Sequence, residues 1–147
     1  MDSRKWRARL WAYAPVVLWI GVIFLMSSNF GSSANTSLIV GPLLHFLFPS
    51  ISEATVDLVH AFVRKSAHFC EYAVLGALAA RTFRSLAPLS RLTGALLVVI
   101  AIALADEFNQ SFNPARTSSL WDSALDTCGG LTAIVIVLLL TRRRARG

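Results

Sequence analysis

The chain has 147 residues, which fits one domain; 55% are hydrophobic, 15% are charged, and the mean hydropathy is +0.60. A water-soluble domain carries about 25% charged residues, so the composition excludes a soluble globule and makes lipid the natural solvent for the excess apolar surface. The net charge of +6 does not indicate nucleic acid, because the basic residues stand in short runs beside apolar stretches rather than on one patch.

Arg4, Lys5, Arg7 and Arg9 precede an apolar run from Leu10 to Met26. A signal peptide starts in the same way, and Ser32-Ser33-Ala34 is a weak cleavage-like site. The length of the run, and Trp11, Tyr13 and Trp19 within it, favour an uncleaved helix spanning about 10–27. Residues 28–61 read as an outer loop. Within it, Leu38 to Val40 and Leu43 to Phe48 are separated by Gly41 and Pro42 and closed by Pro49; they are too short to span and suit an interfacial segment.

Ser52-Glu53 is a helix start, since serine caps free N–H groups and an acid suits the first turn. The helical pattern continues through Val56, Val59, His60 and Val63 to Phe83, longer than one span, so its first part projects outward and the span is about 62–84. Pro88 and Ser90 mark the turn. Leu92 to Ala105 is the next apolar run, with Asp106-Glu107 directly behind it and a span of about 91–110. Asn113-Pro114 turns the chain again. The last helix starts near Ser118 or Ser119, spans about 119–141, and ends in Arg142, Arg143, Arg144 and Arg146. Cys70 and Cys128 lack metal-ligand spacing and read as free thiols that behave as small hydrophobes.

The expected architecture is therefore all-α: a single polytopic membrane domain over residues 1–147, with four transmembrane helices and both termini cytoplasmic. In this topology eleven of the fourteen basic residues lie on the cytoplasmic side, and only Arg64, Lys65 and Arg116 lie on the other. The expected location is the bacterial cytoplasmic (inner) membrane.

Three of these helices are apolar at the cytoplasmic end and polar at the outer end. Leu92 to Ala105 is shorter than the roughly 20 residues a bilayer core requires, which puts Asp106, Glu107 and Gln110 within the outer leaflet or at its boundary. The same reasoning places Lys65, His68, Glu71 and Tyr72 on the second span and Asp122 and Asp126 on the fourth. Ionisable groups at that depth are costly and face the protein interior or a wet cavity. Lys65, His68 and Tyr72 share one helical stripe; Asp106 and Gln110, and Asp122 and Asp126, are i, i+4 pairs. Gly129 and Ala133 continue the face of Asp122 and Asp126, with Gly130 at its border, and small residues let membrane helices pack closely. Arg116 lies in the short outer loop, within reach of the cluster.

Read singly, Lys65 and Arg116 are interfacial anchors or ion-pair partners, and His68 and Tyr72 are packing residues. Their convergence from three helices on one membrane face points to a site. Its ligand-binding candidates are Lys65, His68, Tyr72, Asp106, Glu107, Gln110, Arg116, Asp122 and Asp126. His68, Glu107 and Asp122 are its candidates for proton transfer or nucleophilic attack.

The pieces Lys65-Ser-Ala-His68-Phe69-x-x-Tyr72 with Leu75-Gly76, Asp106-Glu107-x-x-Gln110-x-Phe112, Pro114-x-Arg116, and Asp122 with position 126 and Gly129 resemble the VanZ-like family of bacterial membrane proteins, named for a protein of teicoplanin resistance. Phe24-x-x-Ser27-Ser28 is similar to the family as well, and the likeness runs from about 20 to 135. The sequence departs from the family pattern at Ala115, where glycine is usual, and at Asp126, where asparagine is usual. The resemblance implies a polytopic cell-envelope protein, with an association to reduced glycopeptide susceptibility, and implies no defined reaction.

Three functions compete. The first is a pocket for an anionic lipid or cell-wall precursor, with Lys65 and Arg116 on a phosphate; the partners are then membrane lipids, with no cofactor, and an oligomer remains open. The second is a metal or cation site using His68, Glu71, Asp106, Glu107 and Asp122. The third is structural or partner-binding, the polar network only locking helices together.

Overall fold

The computed structural model describes residues 3–28, 33–112 and 119–144, which form five helices and no strand. They are α1 (Ser3–Ser27), α2 (Ser33–Leu47), α3 (Glu53–Thr82), α4 (Pro88–Gln110) and α5 (Leu120–Arg144). Three segments are long and apolar enough to cross a membrane: Leu10–Ser27, Pro88–Gln110 and Leu120–Arg143. Large apolar side chains such as Trp11, Leu18, Phe46, Phe62, Leu97 and Trp121 stand exposed on the helix surfaces. Helices apolar on nearly every face belong in lipid, and the protein is a membrane protein.

Between α1 and α3 the structure departs from a loop. Leu38–Val40 and Leu43–Phe48, read as two fragments, belong largely to one helix that runs through Gly41 and Pro42. At 15 residues α2 is about 22 Å long, short of the roughly 30 Å hydrocarbon core. His45 Nε2 in its last turn lies 3.2 Å from Glu53 Oε1 and ties it to α3. Ser52 caps α3: its backbone is extended and its hydroxyl accepts from the Thr55 N–H at 3.3 Å. The 30 residues of α3 extend about 45 Å, more than one bilayer core.

α3 is the central helix. It packs most extensively on α5 and also meets α1, α2 and α4. The α3–α5 seam is nearly backbone on backbone: a β-carbon placed on Gly76 would overlap the Gly130 carbonyl, and one on Gly129 would overlap the Phe69 backbone. Above and below it the core is filled by Tyr72, Leu75, Ala79, Ala80, Ala95, Val99, Ala103 and Ile134. α1 lies against α3 through the Trp19 indole N–H, which donates to the Glu71 carbonyl at 2.9 Å, and the Thr82 hydroxyl, which donates to the Ala12 carbonyl at 2.9 Å.

Arg91 is buried. The last carbonyls of a helix lack intrahelical partners; those of Ala79 and Arg81 take the N–H groups of Phe83 and Arg84. Ala80 takes Arg91 Nε at 2.6 Å, and Arg91 Nη1 donates to Thr141 Oγ1 at 3.3 Å. The side chain thus joins the α3–α4 turn to α5. Arg91→Leu orphans the carbonyl and is expected to lower stability by about 2 kcal/mol, read as a fall in thermal unfolding temperature in detergent. An unchanged midpoint would show that the contact carries no net stability.

Candidate functional site

At the end of the bundle opposite Arg91, a small pocket opens between α3, α4 and α5. α3 contributes Arg64, Lys65 and His68; α4 contributes Glu107 and Gln110; α5 contributes Asp122, Leu125 and Asp126. Six of the residues singled out in the sequence thus line one cavity. Tyr72 and Asp106 do not line it and are fully buried in the helix interior. Arg116 lies outside the described residues, as do Pro114 and Ala115.

The stripe on α3 becomes a gradient of depth. Lys65 is half exposed at the mouth, His68 is 21% exposed, and Tyr72 is sealed one turn further in. Lys65 Nζ donates to Asp122 Oδ1 at 2.6 Å, joining α3 to the first turn of α5. The pair is open to solvent, and such pairs contribute about 0–1 kcal/mol, so it can exchange for another ligand at little cost.

α4 and α5 are fixed to each other by Glu107. Its Oε2 accepts from the Ser119 N–H at 2.7 Å, while the Ser119 hydroxyl accepts from the Trp121 N–H. The first N–H groups of α5 are satisfied in this way. Glu107, a candidate for chemistry, therefore has a structural task as well.

Asp106 forms a second lock. Its Oδ2 accepts from Ser27 Oγ at 2.7 Å and from Gln110 Nε2 at 2.8 Å, and Gln110 Nε2 also reaches Ser27 Oγ at 3.1 Å. All three residues are buried. The expected i, i+4 relation of Asp106 and Gln110 is there; Ser27, which closes the network from α1, was not among the site candidates. Its signal is the Phe24-x-x-Ser27-Ser28 piece of the family likeness. Arg64, which the sequence gives only as one of three basic residues on the outer side, also lines the pocket.

Cys70 and Cys128 are free and lie on the outer faces of their helices.

Comparison with known proteins adds one match: a family model described as VanZ/LLP1 covers residues 11–141. No curated protein and no solved structure matches the chain.

Proposed function

The chain belongs to the VanZ/LLP1 family, and from that premise we propose that it is a multi-pass protein of the bacterial cytoplasmic membrane whose pocket holds the anionic headgroup of a lipid or cell-wall precursor. The observation that carries this reading is the pocket itself, with Arg64 and Lys65 over an interior of His68, Gln110 and carboxylates. In this reading α3 is the fourth span beside the three apolar ones. Its apolar half, rich in buried Leu75, Gly76, Ala79 and Ala80, crosses the membrane, and its charged half lines the pocket. The Arg-rich ends of the helices then face the cytoplasm, both termini lie there, and the pocket faces the outer leaflet. The domain is one unit over residues 1–147.

Arg64 supplies a fork of donors that matches two phosphate oxygens. Lys65 turns from Asp122 toward the ligand, a small loss for a solvated pair. Arg116, which the sequence places near this end of the chain's polar cluster, is the third cation of this reading. Asp126 lines the interior with Tyr72 and Asp106 buried behind it, and His68, Glu107 and Asp122 stand where a proton on the headgroup would be exchanged. A glycopeptide-susceptibility assay of a deletion strain is the matching cellular readout.

Native mass spectrometry in mild detergent tests the pocket. Wild type is expected to retain a phosphate-bearing lipid or precursor, and Arg64→Ala and Arg116→Ala are expected to retain it about tenfold less, which corresponds to about 1.4 kcal/mol of binding per lost contact. Equal retention by all three folded proteins would reject the basic rim as the ligand's anchor. A structural reading is favoured for Ser27, Asp106 and Gln110, which hydrogen-bond to one another.

A further inference from the structure

At the inner wall of the pocket, His68 and Asp126, which line it, meet Asp106 buried behind them, so that three metal-ligating groups come together from three different helices. A ring nitrogen of His68 on α3 and one carboxylate oxygen each from Asp106 on α4 and Asp126 on α5 all lie within 4.8 Å of one another. Asp106 is 0% exposed and Asp126 is 2% exposed.

Two oxygens in this cluster are unspoken for. Asp106 Oδ2 takes both donors of its network, from Ser27 and Gln110, and its buried Oδ1 has no hydrogen-bond partner among the described residues. Asp126 Oδ1 is in the same condition. It lies 3.8 Å from His68 Nδ1, too far for a hydrogen bond. Buried polar atoms are nearly always satisfied, and adjacent buried carboxylates are costly without a counter-charge. One ion between them resolves both problems. Metal–nitrogen and metal–oxygen bonds are about 2.0–2.2 Å, so two ligands of one tetrahedral ion stand about 3.3–3.6 Å apart. An inward movement of about 1 Å, within the reach of side-chain torsions, closes the set around a common centre.

We propose that His68, Asp106 and Asp126 form a binding site for one divalent transition-metal ion at the inner end of the pocket. One imidazole and two carboxylates suit zinc, manganese or ferrous iron better than calcium or magnesium, which take oxygen alone. Three protein ligands leave a coordination position free, and His68 and Asp126 both line the pocket, so that position opens toward it. The ligand set differs from the one the sequence suggested: Glu71, Glu107 and Asp122 drop out, and Asp126 enters. Ion binding depends only on this cluster. A second step, in which the ion offsets the carboxylates and meets an anionic headgroup, rests on the proposed function above.

The test uses full-length, tag-free protein in mild detergent, stripped with EDTA, with no lipid added, and titrated with Zn²⁺ before desalting and elemental analysis. Wild type is expected to hold about one zinc per chain, as a single three-ligand site requires. Changes outside the ligand shell already cost about 10–100-fold in metal affinity, so Asp126→Asn and His68→Ala are expected to lose about 100-fold or more. Asp57→Asn, at an exposed carboxylate elsewhere on α3, is expected to bind as wild type does. X-ray absorption of the zinc-loaded wild type is expected to show one imidazole among oxygen donors, a readout that survives if a variant fails to fold. Substoichiometric zinc in folded wild type, undiminished binding by the folded variants, or a shell without imidazole would each overturn the site. Because no lipid is present, failure here leaves the headgroup reading standing, and failure of lipid retention leaves the metal site standing.

Discussion

Gly76→Ala and Gly129→Ala are expected to prevent α3 and α5 from closing and to yield protein that aggregates or unfolds at markedly lower temperature in mild detergent. In an ordinary helix a glycine-to-alanine change is favourable by about 1 kcal/mol. Here the added carbon would overlap backbone on the facing helix, the Gly130 carbonyl in one case and Phe69 in the other. Backbone cannot rotate aside as a side chain can, so the helices must separate along the seam. Overpacking costs about 1–3 kcal/mol, and more where no side chain yields; the upper end of that range outweighs the propensity gain. Two comparisons make the argument specific. Gly130→Ala first meets the Val99 side chain rather than backbone, so its loss is expected to be smaller and to be recovered in part by Val99→Ala. Gly21→Ala has nothing within 4 Å and is expected to be neutral or slightly stabilising. Thermal unfolding monitored by size-exclusion profile gives the order; Gly76→Ala as stable as Gly21→Ala would refute close backbone contact.

Asp106→Ala is expected to release the end of α1 from α4. Removing the carboxylate leaves the Ser27 hydroxyl proton and one N–H of Gln110 without an acceptor, both buried. Each unsatisfied buried group costs about 1–3 kcal/mol, although polar pairs between membrane helices average about 0.6 kcal/mol because alternative partners exist in the unfolded reference. A total of about 2–4 kcal/mol follows. The loss is local: hydrogen exchange in the last turns of α1 is expected to accelerate, while the α3–α5 seam stays protected. Ser27→Ala breaks the same lock and leaves the carboxylate in place. It is therefore expected to retain zinc, whereas Asp106→Ala loses both zinc and the lock. Parallel loss of zinc in Ser27→Ala would mean that the two functions of Asp106 cannot be separated.

Much of this arrangement was legible in advance because it depends on local spacing. The Ser52 cap, the i, i+4 pair of Asp106 and Gln110, and the start of α5 beside Ser119 are set within a turn or two of helix, where side-chain chemistry and periodicity suffice. The family likeness carried by the Lys65, His68, Tyr72 and Asp106–Gln110 pieces is matched by the family model over residues 11–141. What was misread lay where local signals conflict. Gly41 and Pro42 resemble a break, yet α2 runs through them.

By itself the sequence determined that the chain is helical and belongs in a membrane, because composition and apolar run length are sums over neighbouring residues. It also determined that polar residues from three helices gather at one end, because alternating hairpins bring those ends together. Only the tertiary structure decided which polar groups share a partner. Ser27 with Asp106, Glu107 with the Ser119 N–H, and His68 with Asp126 are pairs remote in sequence. They are selected by the rotation and depth at which α1, α3, α4 and α5 meet. That rotation is set by the glycine seam, where two helices approach until only hydrogen atoms fit between them, and no one-dimensional pattern specifies which residues then face each other across it.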